Sequence, residues 1–278
     1  MIWACADMMT RGCLLGGTAG RATLNGEGLQ HEDGHSHVLA STLPNLKCYD
    51  PAFAYELAVI VREGIRRMYQ QGDNIFYYIT LYNENQKMPA MPTHKHVQEG
   101  IIRGAYCFQP REGAGQAVDL LASGALMEQA IEAASMLSAL GYAPAIWSIT
   151  SYTELAREAE SCEREARLNP LLAAPDCHLQ KIFGDLTGPI VAVSDYQKSL
   201  AGSIAKWMPA SYTALGTDGF GVSGTRPELR DYFEVSAKHI VQTVLVALFR
   251  QGLIDEKTLM LQLTPLGIKH NKPDPAAR

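Results

Sequence analysis

The densest collection of reactive side chains lies in NGEGLQHEDGHSH, residues 25–37. Three of the chain's eight histidines fall here, His31, His35 and His37, beside Glu27, Gln30, Glu32 and Asp33. An imidazole titrates near neutral pH, and a nearby carboxylate can fix its tautomer or share its proton, which is the pairing acid–base catalysis uses. Histidines and carboxylates also bind zinc or iron, although H-x3-H-x-H matches no established ligand spacing. A third reading is a solvated loop whose histidines bond to backbone groups. No residue from Gln30 to His37 is apolar, so the run is expected on a loop rather than on a core strand or a buried helix face.

Other polar features carry less. GTDGFGVSGT, residues 216–225, has glycines that would let backbone approach a phosphate, but no Lys follows and the glycines are not in dinucleotide-binding order. It reads as a tight connection after a strand, with Asp218 as a turn or cap residue. Arg103 and Arg226 are expected in surface ion pairs, and EREAR (163–167) on a solvated helix face. The six cysteines show no CxxC and no zinc-ribbon spacing, so they are expected to be reduced, mostly buried thiols of a cytoplasmic protein.

Composition sets the frame. The chain has 278 residues, 47% hydrophobic and 19% charged, which suits one or two packed domains and excludes a disordered chain. A net charge of −5 with no basic run argues against nucleic acid as a partner. No apolar stretch approaches the ~18 residues of a membrane span, and the first residues lack the basic start of a signal peptide.

The elements that must hold the polar loop alternate between helix and strand. A short helix is expected to about Met9, then a Gly-rich segment over 14–28. Asp50-Pro51 reads as the cap and first position of a helix carrying Val59, Ile60, Ile65, Met68 and Tyr69. IFYYITLY (75–82) is β-branched and aromatic, a buried strand. Residues 83–96, polar with Pro89 and Pro92, read as a linker. Beyond it, strand 117–123, helix 125–141 and strand 144–150 form a βαβ unit with parallel pairing. Strands over 189–195 and 212–216 follow. A helix over 236–251 has a continuous apolar face from Ile240 to Phe249, Asp255 caps a last helix, and the tail after Lys269 is expected to fray.

These segments resemble a known family. GGTAGRATLNGEGLQHEDGHSH, YDPAFAYELAVIVREGIRRMY and YYITLYNENQKMPAMP are similar to the homodimeric bacterial pyruvate dehydrogenase component, the thiamine-diphosphate-dependent decarboxylase of the pyruvate dehydrogenase complex. SITSYTELAREAESCER and LGTDGFGVSGTRPELRDYFEV are similar to its C-terminal domain. The resemblance implies a transketolase-like α/β fold. Residues 1–90 would be the latter part of a pyrimidine-binding domain, and 91–278 a C-terminal α/β domain with a mostly parallel sheet. It implies oxidative decarboxylation of pyruvate with reductive acetylation of a lipoyl group, a homodimer, and a dihydrolipoyl acetyltransferase core as partner. His31 would reach the thiazolium end of thiamine diphosphate with Glu27 beside it, and Gln30 and His35 would line the substrate. The family's GDG motif for Mg²⁺ and the diphosphate is absent: Gly72-Asp73 and Gly184-Asp185 are not followed by Gly. The glutamate that activates the cofactor would lie before Met1. The chain is therefore expected to be the C-terminal part of a longer enzyme. The alternative is a non-catalytic dimerisation or scaffold piece.

Overall fold

A computed structural model describes residues 1–278 except Ala174, His270 and Arg278. In the first part of the chain, α1 (Ile2–Asp7), β1 (Cys13–Gly16), α2 (Ser36–Ala40), β2 (Leu46–Tyr49), α3 (Ala54–Ile65) and β3 (Phe76–Thr80) build a parallel three-stranded sheet of order β1-β3-β2. The central strand is the one the aromatic and β-branched run marked. Its Tyr77 and Ile79 pack with Val59, Ile60 and Met68 on one face, while Phe76 packs with Leu43, Leu46 and Cys48 on the other. The Gly-rich segment opens with strand β1, an element its composition does not announce.

A second sheet follows. After α4 (Val97–Arg103) come β4 (Ala105–Gln109), β5 (Ala117–Ala122), α5 (Met127–Ala139), β6 (Ala143–Ile149), α6 (Tyr152–Leu168) and α7 (His178–Phe183). The chain continues with β7 (Ile190–Val193), α8 (Lys198–Gly202), β8 (Tyr212–Leu215), α9 (Arg226–Tyr232), α10 (Ala237–Arg250) and α11 (Glu256–Leu263). The sheet order is β4-β6-β5-β7-β8, parallel except for the antiparallel edge strand β4. The βαβ unit over β5, α5 and β6 forms as its pattern requires. Helices α5 and α10 cover one face through Ala130, Ala134, Leu137, Ile240, Val244 and Leu248. Helices α6 and α7 cover the other through Leu155, Leu179 and Phe183. Together they dress the mostly parallel sheet on both faces, as such sheets require.

Two expectations fail for local reasons. The helix begins at Ala54, not Pro51, because Glu56 supplies the start signal: its Oε2 accepts from the backbone N–H of Ala52 at 2.6 Å and of Phe53 at 3.1 Å. Asp50 is thereby released from capping and turns inward to accept from Thr80 at 2.7 Å and from Tyr82. The tail does not simply fray. Lys272 pairs with Asp231, and the Pro275 carbonyl lies against Gly219. Of the cysteines, all free, Cys48 and Cys177 are buried and Cys13 is exposed, so burial is less general than expected.

The two sheets are joined through buried polar groups. Glu56 Oε1 accepts from Tyr106 on β4 at 2.7 Å and from Ser148 on β6 at 2.6 Å, so one buried carboxylate takes four donors from both parts of the chain. Burial raises its pKa, and the donors oppose that shift. Ser151 donates to the Cys48 carbonyl at 2.5 Å, and the Arg157 guanidinium donates to the carbonyls of Ser41, Leu43 and Leu46. Glu56→Ala leaves four donors without their acceptor and should destabilise the chain by about 3 kcal/mol, with Glu56→Gln milder. Urea unfolding measures this, and a loss near zero for the alanine variant would contradict the bridging role.

Candidate functional site

The polar loop leaves the carboxyl end of β1, and the carboxyl ends of both sheets meet beneath it. Asp50, just past β2, donates its N–H to the Thr150 carbonyl past β6 at 2.8 Å and accepts from Gly124 past β5 at 3.1 Å. Asp195, just past β7, is the main anchor of the loop. Its Oδ1 accepts from the Ala22 N–H at 2.7 Å and its Oδ2 from the Thr23 hydroxyl at 2.5 Å. Gly20 makes this approach possible: it sits at φ +91°, and a Cβ there would lie 2.5 Å from Asp195 Oδ2. Asp195 is wholly buried, and that burial pushes its pKa up to about 7 against the pull of Thr23 and Ala22.

Arg21 holds the other side. It is 4% exposed, and its Nη1 donates to the carbonyls of Thr217 at 2.7 Å and Gly219 at 2.5 Å, while Nε donates to the Glu32 carbonyl at 3.3 Å. Burial lowers its pKa, and Asp33, Asp195 and Glu32 counter that. Glu32 in turn accepts from the Val222 N–H at 2.6 Å through Oε2; burial raises its pKa. Segment 216–225 is thus more than a tight connection, because it is the wall on which the loop is mounted. At Gly221 a Cβ would come within 2.5 Å of the Leu29 carbonyl. Ser223 donates to the Glu27 carbonyl and Gly26 to the Gly224 carbonyl. Asp218 caps α8 by accepting from the Lys198 N–H, as expected of a cap residue.

The pinned loop divides its titratable groups into two sets. Glu27, Gln30 and His31 face solvent on the segment from Glu27 through the 3₁₀ turn Leu29–His31. Among the described residues no side chain bonds to those of Glu27 or His31. His35 is also exposed; its Nδ1 lies 3.7 Å from Asp33, whose Oδ1 takes the His35 and Ser36 N–H groups. His37 goes the other way. It is buried, 3.0 Å from the Thr80 hydroxyl through Nε2, with Tyr196 edge-on at 4.6 Å, and burial lowers its pKa. The three histidines therefore do not converge, and no group of three or more His, Cys, Asp or Glu among the described residues could hold a metal ion. Arg103 pairs with Glu99 and Glu158, as expected of it, whereas Arg226 donates mainly to the Thr23 carbonyl and Asn83, with Glu84 at 3.7 Å as its ion-pair partner. Sequence reasoning missed Arg21, Asp50 and Asp195. An acidic residue directly after an apolar parallel strand was the available signal for the last two, since such positions lie at the carboxyl edge where α/β sheets place their sites.

Comparison with known proteins places this arrangement. Residues 1–89 match the pyruvate dehydrogenase E1 component middle domain, and residues 104–236 the transketolase-like TK C-terminal domain. The pyruvate dehydrogenase E1 component of Pseudomonas aeruginosa is 45% identical over 99% of the chain, and that of Escherichia coli K12 is 44% identical over the same share. The chain is a relative of the pyruvate dehydrogenase E1 components. It spans 31% of their length. The fold is transketolase-like: transketolase from Leishmania mexicana superposes with a TM-score of 0.63 at 18% identity, over 90% of this chain and 32% of that one. A structure titled split gene transketolase, inactive beta4 tetramer, superposes with a TM-score of 0.56 at 19% identity, over 85% of this chain and 66% of that one. No helix among the described residues is long and apolar enough to cross a membrane.

Asp195 makes the anchoring pH-dependent. Its pKa in the folded chain, about 7, exceeds the ordinary carboxylate value of 3.8, so the folded chain holds this proton more tightly than the unfolded one. The stability this group contributes is full below the ordinary value, declines as pH rises towards 7, and is gone above it. Between pH 5.5 and 8 the wild type should lose about 2 kcal/mol from this source. Asp195→Asn should remove that part of the slope in urea unfolding. An identical slope in the variant would show that Asp195 ionises normally.

Proposed function

We propose that this chain is the part of a pyruvate dehydrogenase E1 component that presents acid–base groups to pyruvate on thiamine diphosphate. In this reading residues 1–90 complete a pyrimidine-binding domain and 91–278 form the C-terminal domain. The observation that carries the reading is the exposed pair Glu27 and His31, held at the carboxyl edge of a parallel sheet by a loop whose base is buried and anchored. Their kinship to the E1 components supports it.

An exposed imidazole and carboxylate with no side-chain partners fit the thiazolium end of thiamine diphosphate. The described residues offer no carboxylate cluster for the Mg²⁺ and diphosphate end. In this reading that end would be held by the part of an E1 component that this chain does not match. When bound, thiamine diphosphate supplies a nucleophilic carbon and an electron sink for loss of CO₂. His31 donates a hydrogen bond to the substrate oxygen as negative charge develops there, and is the proton source during transfer of the acetyl group to a lipoyl group. Glu27 and His31 do not bond to each other in this structure, and Glu27 would orient the imidazole or exchange a proton with it only once the site is assembled. Gln30 and His35 contact the substrate from the same rim. The anchors at Asp195 and Arg21 keep these groups at the surface in a fixed frame, which is what positioning a proton donor requires. A homodimer, an acetyltransferase core and a cytoplasmic setting complete the proposal; six free thiols suit that setting.

A non-catalytic scaffold is the second reading, favoured by the inactive tetramer formed by the chain of the split transketolase that shares this fold. Pyruvate decarboxylation by this chain, assembled with the remainder of an E1 component and thiamine diphosphate, separates the two. The proposal expects turnover, and His31→Ala should lower it about a hundredfold or more. No turnover from a correctly assembled complex would favour the scaffold, and an unchanged rate in the variant would remove His31 from proton transfer.

A further inference from the structure

We propose that the segment after α11, over residues 271–277, is a strap that fixes the loop presenting Glu27 and His31, with Lys272 as its positioning residue. What the fixed loop means for turnover rests on the catalytic reading above; the fixing itself does not. The strap is fastened at two points. Lys272, its side chain 13% exposed, donates from Nζ to the Asp231 carbonyl and lies 3.3 Å from the Asp231 carboxylate. Asp231 is in the last turn of α9, where the carbonyls of a helix end favour a cation. The second point is Pro275. Asp274 Oδ1 accepts from the Ala276 N–H at 2.9 Å, and the turn this closes sets the Pro275 carbonyl against Gly219. Only glycine permits that approach: Gly219 sits at φ +86°, and a Cβ there would collide with the carbonyl. Pro273 and Pro275 fix two φ angles of the segment in advance, which lowers the entropy lost on fastening it. Beside Lys272 the strap leaves a space of about 540 Å³ over Pro227, Glu228 and Tyr232, so it bridges α9 rather than packing down on it.

What the strap clasps is the wall on which the loop is mounted. Beyond Asp218 this wall has little apolar anchorage: Phe220 is 71% exposed, while Val222 packs on the core. Glycine-rich backbone of this kind takes its order from what flanks it. One flank is the loop. The Gly219 carbonyl accepts from Arg21 Nη1 at 2.5 Å, the Val222 N–H donates to Glu32 Oε2 at 2.6 Å, and the Gly26 N–H donates to the Gly224 carbonyl at 3.0 Å. The strap is the other flank. It meets the wall at Gly219, the same residue that takes Arg21, so loosening the strap frees an acceptor of the guanidinium that holds the loop. It also meets α9, whose first residue, Arg226, gives its N–H to Asn25 Oδ1 at 3.2 Å. Each fastening therefore connects to the loop through a single element, the wall for Pro275 and α9 for Lys272.

The test is amide exchange by NMR on the 278-residue chain, comparing the wild type with Lys272→Met, Lys272→Arg and a variant lacking residues 271–278. The Gly26 and Val222 amides, which bond across the joint between loop and wall, report the loop; the slowest amides of β5 report the sheet. Lys272→Met and the deletion should each speed exchange at Gly26 and Val222 about tenfold or more and leave the β5 amides unchanged. Lys272→Arg keeps the cation and should stay within about threefold of the wild type. Lys238 remains on Asp231 at 2.5 Å in every variant, so no carboxylate is left without a partner. Should Lys272→Met fail to fold, the deletion decides. Unchanged exchange at Gly26 and Val222 in both variants overturns the proposal. So does an equal acceleration in β5, because the segment would then add to global stability without fixing the loop. An arginine variant as fast as the methionine one would overturn the role given to Lys272. Turnover is not read, so an inactive enzyme would count against the catalytic reading and not against the strap.

Discussion

The Asp195 carboxylate is the contact on which the arrangement of the site depends. It stands just past the end of one parallel strand and reaches across to the Ala22 N–H and the Thr23 hydroxyl of the loop that leaves another sheet. Arg21, the residue immediately before, points the opposite way and ties the same loop to the Thr217 and Gly219 carbonyls. Residues 19–24 are consequently buried, and exposure begins at Asn25, where the anchors from Asp195 and Arg21 end. Without them a glycine-rich segment would sample many conformations, and the cost of ordering it would fall on whatever ligand its side chains met. With them, Glu27 and His31 are displayed from a base already ordered in the fold.

The carboxyl ends of two parallel sheets are ordinarily where ligands bind. Here those ends largely face each other, and the space between is filled by protein polar groups: Asp50 with Thr80 and Tyr82, His37 against Thr80, and Asp195 with Thr23. The residues proposed to act stand at the rim, on a loop that climbs out between the sheets. Glu56 makes the same kind of crossing away from the rim, taking donors from α3's own start and from two strands of the second sheet. Buried carboxylates are costly unless fully bonded, so each such crossing also specifies how the sheets are set against each other.

Periodicity carried most of the fold into view. The run IFYYITLY could only be a buried strand, and the alanine-rich pattern of 125–141 and the continuous face of 236–251 are helices that pack as a pair on β5 and its neighbours. Most of the polar run was legible as a loop because it lacks apolar residues, but Ser36 and His37 open helix α2 and His37 is buried on it. The inner half of the run was not legible, since nothing in a run of polar residues tells that Glu32 and His37 turn inward while His31 and His35 do not; only the segment 216–225 and the ring of Tyr196 decide that. Strand β1 was missed because Leu-Leu-Gly-Gly looks like a turn when its partner strand, which pairs Cys13 with Tyr77, is far away in sequence. The strand β4 and the helices around it were hidden for a similar reason: AYCFQ is short and pairs antiparallel at an edge. Asp50 followed by Pro is a good helix start by local chemistry, and it lost to Glu56 because the buried hydroxyls of Thr80 and Tyr82 need an acceptor.

If buried carboxylates weld the two sheets into one frame for the loop, the sheets cannot open separately. Native-state hydrogen exchange under increasing low concentrations of denaturant tests this most directly. The account predicts that the slowest amides of β3 and of β5 open with the same free energy and the same denaturant dependence, as members of one cooperative unit. Exchange of the β3 amides through an opening several kcal/mol cheaper, with β5 still protected, would contradict it.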